Sequence, residues 1–287
     1  MLAQISYCSS TDQKNKRVAK IIVNGLFSLM FISLLGASTC LAEMIHSRAA
    51  VAIDATTGKI LFSKNQNHRL PPASTTKLMT AIVTLENEDL SRVVTISKSA
   101  SHTGSSRAGF REGDKLTVED LLYAALMKSA NDAAVALAEA IAGSELEFVH
   151  LMNEKVISIG AGDTKFINST GLPGPGQYTT ALDLSKILSY AMGNTKLKEI
   201  IATPERQIVT EAGKKFLLRN TDKLLWSDER IIGGKTGYTR SAKHCFVCAA
   251  KNDTKTIIVA LLGSPTRRSL WIETEKVIAW AFHYRIE

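Results

Sequence analysis

Hydrophobic and polar positions along the chain change their period twice, from alternation to helical spacing and back. Two apolar runs flank a Thr-Thr-Gly turn between residues 49 and 63, which predicts a β-hairpin. From Ser74 onward, apolar side chains cover most of a helical circumference, so a largely buried helix is expected there. Further helices are predicted in the middle of the chain, at residues 118–127, 132–141, 146–157 and 182–192.

A Gly/Pro-rich loop is predicted at residues 168–180, and strand patterns return after about residue 205. Strands at both chain ends with helices between them indicate an α/β fold of the α+β type. We predict one antiparallel sheet formed by both chain ends and flanked by helices, with an all-helical lobe inserted at about residues 95–205. The later strands are expected at residues 206–210, 231–234, 244–250 and 256–262, before a final amphipathic helix at about 268–283.

Residues 1–42 have the layout of a secretory signal peptide. Four Lys or Arg residues between positions 14 and 20 precede an apolar run at 21–35 and small residues up to Ala42. The apolar run is shorter than the roughly 20 residues that a membrane-spanning helix needs. We therefore expect cleavage after Ala42, with a retained N-terminal anchor as the alternative. In either case residues 43–287 would face the periplasm or another extracytoplasmic part of the cell envelope.

The charged and sulfur-containing residues exclude several classes of protein. The chain carries a formal net charge of +8, but it has no Lys/Arg-rich tract or aromatic-basic repeat, so no nucleic-acid partner is expected. Cys245 and Cys248 have the C-x2-C spacing of a redox or metal site, yet His244 alone adds too few ligands for a closed zinc site. A strand would also place the two thiols on opposite faces. We therefore expect buried free thiols here and no closed zinc site.

A first chemical motif is Ser74-Thr-Thr-Lys77, at the start of the predicted buried helix. Residues three apart on a helix share one face, so the Lys77 amine can approach the Ser74 hydroxyl. A serine is a weak nucleophile until a base takes its proton, and a lysine can be that base if burial or nearby positive charge keeps it neutral. By itself this motif occurs by chance in many helices.

Two further motifs follow along the chain. Ser129-Ala-Asn131 lies at a joint between two predicted helices, where Ser129 could relay a proton and Asn131 could bind a substrate amide; a simple helix cap is the alternative. Lys235-Thr-Gly237 follows an apolar strand, and a plain turn is its alternative. There Lys235 supplies positive charge, the Thr236 hydroxyl suits a substrate carboxylate, and Gly237 allows a substrate backbone to lie close to the strand.

The order and spacing of the three motifs, with 55 and then 106 residues between their first positions, resemble penicillin-binding proteins and serine β-lactamases. The wider sequence is similar to the low-molecular-mass penicillin-binding proteins, the serine-type D-alanyl-D-alanine carboxypeptidases, over about residues 49–282. The segments that carry this resemblance are Ile53-Asp54, Thr57-Gly58, Pro72 to Ala81, Leu116 to Leu122, Ser129 to Ala134 and Lys235 to Thr239.

This resemblance implies a fold of the β-lactamase and transpeptidase type and a reaction without a cofactor. The expected substrates are peptidoglycan stem peptides that end in D-Ala-D-Ala, and β-lactams are expected to acylate the enzyme covalently. The resemblance assigns the attack to Ser74 and the stabilisation of the oxyanion to the backbone N–H groups of Ser74 and Tyr238. Lys235 would keep Lys77 neutral and, with Thr236, attract the terminal carboxylate of the substrate.

The chain also departs from its relatives. Leu270 stands where they usually carry a carboxylate-binding arginine, for which Arg267 or Arg268 is a candidate replacement, and Lys243 stands where they often have glycine. Many relatives continue into a β-rich domain and a membrane helix, whereas this sequence ends at Glu287, so no C-terminal membrane anchor is expected.

Other functions stay open on the same motifs. A D-alanyl-D-alanine endopeptidase would cut peptide cross-links with the same chemistry. A β-lactamase is less favoured because the chain lacks a Glu-x-x-Leu-Asn loop of the type that supplies the deacylating base in the commonest class. A non-catalytic peptidoglycan-binding module would be marked by the loss of a catalytic residue, and all three motifs are intact.

Overall fold

The computed structural model describes residues 43–283, so the predicted leader at residues 1–42 lies outside the described part of the chain. Internal contacts separate residues 1–45 from residues 46–287, and the fold below is that of the second unit. Among the helices of residues 43–283, none is both long and apolar enough to cross a bilayer.

One antiparallel sheet of five strands is built from both ends of this unit, as the sequence predicted. The strand order is β2-β1-β9-β8-β7. Strands β1 and β2 form the predicted N-terminal hairpin, and the other three come from the C-terminal part of the chain. The bounds are Ala49–Asp54 (β1), Ile60–Lys64 (β2), Ile231–Thr239 (β7), Lys243–Lys251 (β8) and Thr256–Ser264 (β9).

Helices cover both faces of this sheet. Successive residues of a strand point to opposite faces, and every residue of β1 is buried, so each face has a covering layer. Helices α6 (Ala181–Ala191) and α8 (Arg267–His283) both pack against β1, β8 and β9 and supply these layers. The predicted free thiols are confirmed: Cys245 and Cys248 are both unbridged and fully buried in β8.

The middle of the chain forms a mainly helical lobe around α1 (Lys77–Asn87), which the sequence predicted as a buried helix. Helix α1 packs against α6 and against three of the lobe helices given below. Polar side chains cap the starts of several helices, among them Thr117 before the helix that begins at Val118 and Thr180 before α6. The remaining lobe helices are Lys98–His102 (α2), Val118–Met127 (α3), Asn131–Ala142 (α4), Glu145–Ser158 (α5) and Thr195–Ala202 (α7).

The lobe also contains elements that the sequence did not predict. Strands β3 (Val93–Thr95) and β4 (Lys115–Thr117) pair as a short ribbon, so this region is not purely helical. Beyond it, β5 (Glu205–Val209) pairs with β6 (Lys215–Arg219), of which only the first was predicted. Each ribbon strand has three to five residues, too few to establish a clear alternation of apolar and polar positions.

Candidate active site

Ser74 lies in a single 3₁₀ turn at residues 73–76, which leads into α1. Ala73 has a left-handed backbone with φ of 49°. Such a conformation is costly for a residue with a Cβ, and it persists only where the surroundings enforce it. The loop at Gly171 packs directly onto the turn, since a Cβ added at Gly171 would lie 1.8 Å from the Ala73 oxygen. Ser74 is partly exposed while its neighbours in the turn are buried, so its hydroxyl is presented from a fixed backbone.

Lys77 begins α1 and its side chain is fully buried. Its Nζ lies 3.1 Å from Ser74 Oγ, which confirms the predicted approach of the two groups. The same Nζ donates to Asn131 Oδ1 at 2.7 Å and to the Thr170 carbonyl at 2.6 Å. A neutral amine has two N–H groups and one lone pair. Because the two oxygens take the N–H groups, the lone pair is left for the Ser74 hydroxyl proton.

The electrostatic surroundings of Lys77 favour its neutral form. Burial is the largest cause that lowers the pKa of Lys77 well below its usual value near 10.5, and the charge of Lys235 lowers it further. The carboxylates of Asp132 and Glu145 act in the opposite direction and are smaller effects. The predicted influence of Lys235 on Lys77 is therefore present. Lys77 is suited to accept a proton from Ser74.

Asn131 was predicted to bind a substrate amide, and the structure gives it a different set of contacts. Its Oδ1 accepts from Lys77, and its Nδ2 donates to the carbonyls of Gly104 at 2.8 Å and Ser105 at 3.0 Å. Its backbone N–H donates to the Ser106 carbonyl at 2.8 Å. Asn131 thus orients the Lys77 amine and holds the loop at residues 104–106 beside the site. A contact with substrate remains a prediction.

Ser129 and Lys235 form a second serine–lysine pair. Ser129 lies between α3 and α4 with a left-handed φ of 60°, and its hydroxyl accepts a hydrogen bond from Lys235 Nζ at 3.0 Å. Lys235 also donates to the Thr236 carbonyl at 2.9 Å. Burial lowers the pKa of the fully buried Lys235 to about 7, against the opposing charge of Asp222. The Ser129 hydroxyl is therefore hydrogen-bonded to an ammonium group that can gain or lose a proton, as a proton relay requires.

The third motif lies inside a strand, and this corrects the sequence analysis. The strand was predicted to end at Gly234, but β7 continues to Thr239, paired with β8 throughout the motif. A Cβ added at Gly237 would lie 2.9 Å from the Ser74 backbone nitrogen, so β7 passes directly beside the nucleophile. This close approach requires glycine. The backbone of β7 thus lies next to the Ser74 N–H, the group to which the resemblance assigns the oxyanion.

The last part of β7 borders a cationic surface. Tyr238 is 55% exposed, and its ring lies against the His244 ring with a centroid separation of 4.4 Å. Burial is the first cause that lowers the pKa of His244, followed by the charges of Arg267 and Lys243. Arg267 is exposed, and its charge acts on His244, so it contributes positive charge at this end of the site.

Two departures from the family pattern now have a structural setting. Leu270 is 2% exposed in α8 and packs in the interior, so its side chain does not reach the cleft surface. Lys243 starts β8 with a left-handed φ of 60°, a conformation that glycine adopts without strain. The glycine that relatives often have at position 243 therefore suits the backbone observed here.

Several residues of the site could not be found from the motifs. Thr170 contributes only its carbonyl, which every residue has, so no side-chain signal marks it. Thr221 belongs to the site because its hydroxyl lies 2.7 Å from the Thr236 hydroxyl. Asp222 belongs to it because its charge acts on Lys235. The Thr-Asp pair at 221–222 is a visible polar interruption before an apolar run, but nothing in the sequence alone brings it to β7.

Within residues 43–283, no group of three or more His, Cys, Asp or Glu side chains is arranged to hold a metal ion. The arrangement instead presents one partly exposed hydroxyl beside a buried amine, with a second serine–lysine pair next to it. These are the parts of a nucleophilic acyl-transfer site.

Comparison with known proteins places this geometry in a family. The chain is 35% identical to the D-alanyl-D-alanine carboxypeptidase DacF of Bacillus subtilis over 84% of its own length, and it spans 64% of that relative, slightly under two thirds. It is 32% identical to a D-alanyl-D-alanine endopeptidase of Pseudomonas aeruginosa, over 83% of this chain and 81% of the relative.

A solved D-alanyl-D-alanine carboxypeptidase from Mycobacterium tuberculosis superposes with a TM-score of 0.81 at 31% identity, covering 85% of this chain and 93% of that one. The sequence profile of the Peptidase_S11 family, described as D-alanyl-D-alanine carboxypeptidase, matches residues 37–266. That range contains all three motifs and every strand of the main sheet. The chain therefore belongs to the Peptidase_S11 family of D-alanyl-D-alanine carboxypeptidases.

Proposed function

We propose that the protein is a serine-type D-Ala-D-Ala carboxypeptidase that removes the terminal D-alanine from peptidoglycan stem peptides through an acyl-enzyme on Ser74. The observation that carries this proposal is the placement of Lys77. Its buried amine gives both N–H groups to fixed oxygens and lies 3.1 Å from Ser74 Oγ. That geometry suits a general base acting on a serine nucleophile.

The reaction follows from the positions of these groups. Lys77 takes the proton of Ser74, whose Oγ attacks the carbonyl carbon between the two D-alanines. The oxyanion is held by the backbone N–H groups of Ser74 and Tyr238, where β7 approaches the Ser74 nitrogen at Gly237. When the C–N bond breaks, the leaving amine takes a proton through Ser129. Water then hydrolyses the ester and restores the Ser74 hydroxyl.

Recognition of the substrate is assigned to the end of β7. The terminal carboxylate of the peptide meets the charge of Lys235 and the hydroxyl of Thr236, which Thr221 orients. Arg267 adds positive charge beside Tyr238 and takes the place of the arginine that Leu270 replaces. Asn131 has one acceptor position left for a substrate amide N–H. β-Lactams acylate Ser74 because they present an amide carbonyl and a carboxylate with similar spacing.

The protein acts outside the cytoplasm under this proposal. The layout of residues 1–42 supports export, and the substrate is a cell-wall polymer. No nucleic acid and no cofactor takes part. The expected partners are the peptidoglycan peptides themselves.

A second activity is favoured by a specific comparison. The relative named D-alanyl-D-alanine endopeptidase is matched over 81% of its length. An endopeptidase uses the same attack but accepts a cross-linked peptide beyond the scissile bond. The two activities are separated by what the cleft admits on the leaving-group side.

The experiment incubates the purified protein with a monomeric stem peptide ending in D-Ala-D-Ala and with a D-Ala-cross-linked dimer, and follows the products by mass spectrometry. Loss of one alanine from the monomer, faster than splitting of the dimer, supports the carboxypeptidase. Preferential splitting of the dimer assigns the protein to the endopeptidases. Acylation by penicillin without turnover of either peptide contradicts both and indicates a binding module.

A further inference from the structure

Asp222 is a buried carboxylate that the reaction described above does not use. Its side chain is 0% exposed. Oδ1 accepts the backbone N–H groups of Leu224 at 3.0 Å and Leu225 at 3.3 Å. Among the described residues, Oδ2 finds no hydrogen-bond partner although it is shielded from solvent. A buried carboxylate oxygen without a hydrogen bond is costly unless a positive charge compensates it.

The positive charge that acts on this carboxylate is Lys235 of the third motif. The Thr221 hydroxyl lies 2.7 Å from that of Thr236, which places the adjacent residue Asp222 beside the part of β7 that carries Lys235. The two charges act on each other across this contact. Lys235 already donates to Ser129 Oγ and to the Thr236 carbonyl. Its ammonium is thus hydrogen-bonded to the catalytic groups while the charge of the buried carboxylate acts on it through space.

The loop that carries Asp222 is fixed to the site at several points. The Thr221 N–H donates to the Met127 carbonyl at 3.0 Å, two residues before Ser129. The Thr221 hydroxyl lies 2.7 Å from that of Thr236. Asn220 Oδ1 accepts the Asp222 N–H at 3.0 Å. The position of the carboxylate relative to Lys235 is therefore set by the same contacts that shape the substrate cleft.

We propose that Asp222 is a positioning residue for acylation, whose negative charge acts through Lys235 to hold that lysine as an ammonium. The proposal rests on the proposed function. A charged Lys235 has two tasks there: it keeps Lys77 neutral by like-charge repulsion, and it attracts the carboxylate of the substrate. Asp222 touches neither the substrate nor Ser74.

The pKa shifts of Asp222 and Lys235 predict the direction in which the pH dependence of activity changes when Asp222 loses its charge. Burial lowers the pKa of Lys235 to about 7 and Asp222 opposes this shift. Burial raises the pKa of Asp222 to about 6, against its backbone hydrogen bonds and the charge of Lys235. Lys235 must be charged for activity, so activity falls as pH rises through its pKa. Removal of the negative charge of Asp222 lowers the pKa of Lys235. The fall of activity on the alkaline side of the pH profile, its alkaline limb, therefore moves to lower pH.

Other titratable groups face the pair from the neighbouring elements. Lys77 on α1 is the cation that Lys235 influences. On β8, burial raises the pKa of Cys248 well above its usual value, and Asp222 and Asp228 add to this shift, so the thiol stays neutral. Neither group replaces the charge of Asp222 when that residue is changed to an amide.

The test compares full-length wild type with Asp222→Asn, which keeps an oxygen to accept the N–H groups of Leu224 and Leu225 but loses the charge. The readout is the second-order rate of acylation by a fluorescent penicillin between pH 5 and 9. We expect the alkaline limb to move by about one pH unit or more to lower pH, because an opposite charge shifts a nearby pKa by roughly 1–3 units. Above the limb the variant is about tenfold or more slower, and the ratio of the two rates returns toward one at low pH.

Asp54→Asn is the matched control. Asp54 is also buried, and its Oδ1 accepts two backbone N–H groups of the following turn, from Thr56 and Thr57. It lies on β1, three strands away from β7 in the sheet. Like Asp222, it is a buried carboxylate that accepts two backbone N–H groups, but it does not have Lys235 as a neighbour. The alkaline limb of Asp54→Asn should therefore match that of wild type.

Asp222→Glu keeps the negative charge, so its alkaline limb should lie at the same pH as that of wild type, even if the larger side chain lowers the rate. If Asp222→Asn does not fold, Asp222→Ser supplies a neutral acceptor of smaller size for the same measurement. Equal loss of rate at every pH, with the limb unmoved, overturns the proposal and leaves Asp222 a structural role. Acylation is measured without peptide substrate, so a wild type that is acylated but releases no D-alanine refutes the proposed function and still tests Asp222.

Discussion

Lys77 illustrates what a motif can and cannot predict at the scale of single residues. Helical spacing alone places its amine near Ser74, and the 3.1 Å separation agrees. Spacing says nothing about the Thr170 carbonyl or the Asn131 amide, which fix the direction of the lone pair. Those partners come from segments 54 and 93 residues away, and one of them is backbone. Their identity depends on tertiary packing, which local sequence does not record.

The two lysines predict a bell-shaped dependence of kcat/KM on pH. Lys77 must be neutral to act as a base, so activity is lost as pH falls through its lowered pKa. Lys235 must be charged, so activity is lost as pH rises through its pKa of about 7. The measurement is the rate of D-alanine release from a stem peptide at subsaturating concentration across pH 4–10. A rate that keeps rising to pH 10 would contradict the assigned charge states.

At the scale of elements, the structure differs from expectation where the site is built. The sequence predicted the strand to stop at Gly234, where the apolar run ends and the polar motif begins, with a turn as the alternative for that motif. In the fold, β7 continues through these residues since β8 offers a complete antiparallel partner, from Lys235 opposite Val247 to Thr239 opposite Lys243. The long buried strands β1, β8 and β9 and the longer helices were predicted with little error. Helices α2 and α7, strands β3, β4 and β6, and the part of β7 that carries the polar catalytic residues were not predicted.

The contact between β7 and the turn at Ser74 predicts the effect of one methyl group. In Gly237→Ala the new Cβ would lie 2.9 Å from the Ser74 nitrogen and 3.1 Å from the Thr75 nitrogen. The methyl occupies the space beside the oxyanion donor, and loss of such a donor costs roughly 100–1,000-fold in rate. We expect penicillin acylation to slow by about that factor, with melting temperature reduced much less.

Gly104→Ala serves as the control, because a Cβ added there meets nothing within 4 Å although the residue borders the site. It should acylate close to the wild-type rate. Comparable slowing in both variants would mean that the loss does not arise at the oxyanion space.

The main sheet is built from both ends of the folded unit, as the strands at both ends of the sequence predicted. A long-range hydrogen-bonded contact with a buried carboxylate also joins these two ends. Glu273 of α8 is 2% exposed and accepts the backbone N–H groups of His46 and Ser47, each at 3.0 Å, at the approach to β1. The sequence predicted the helix and the strand but not this bond, because its partners are 226 and 227 residues apart.

Removal of this carboxylate should lower stability and spare the chemistry. Glu273→Ala leaves the buried N–H and hydroxyl of Ser47 and the partly buried N–H of His46 without their acceptor. This loss costs about 2–4 kcal/mol of the free energy of unfolding. For a domain of this size we expect the melting temperature to fall by roughly 5–15 °C. Thermal unfolding followed by circular dichroism measures it, and the acylation rate per folded molecule should stay near wild type. Glu275→Ala, at an exposed position of the same helix, should melt within about 2 °C of wild type.

Peptide mapping after incubation with benzylpenicillin identifies the acylated residue and so tests the assignment of Ser74 as the nucleophile. We expect one covalent adduct per molecule, on the peptide that contains Ser74. Ser74→Ala should form no adduct and release no D-alanine, while its melting temperature stays close to that of wild type. An adduct on another residue, or one that persists in Ser74→Ala, would contradict the assignment of the site.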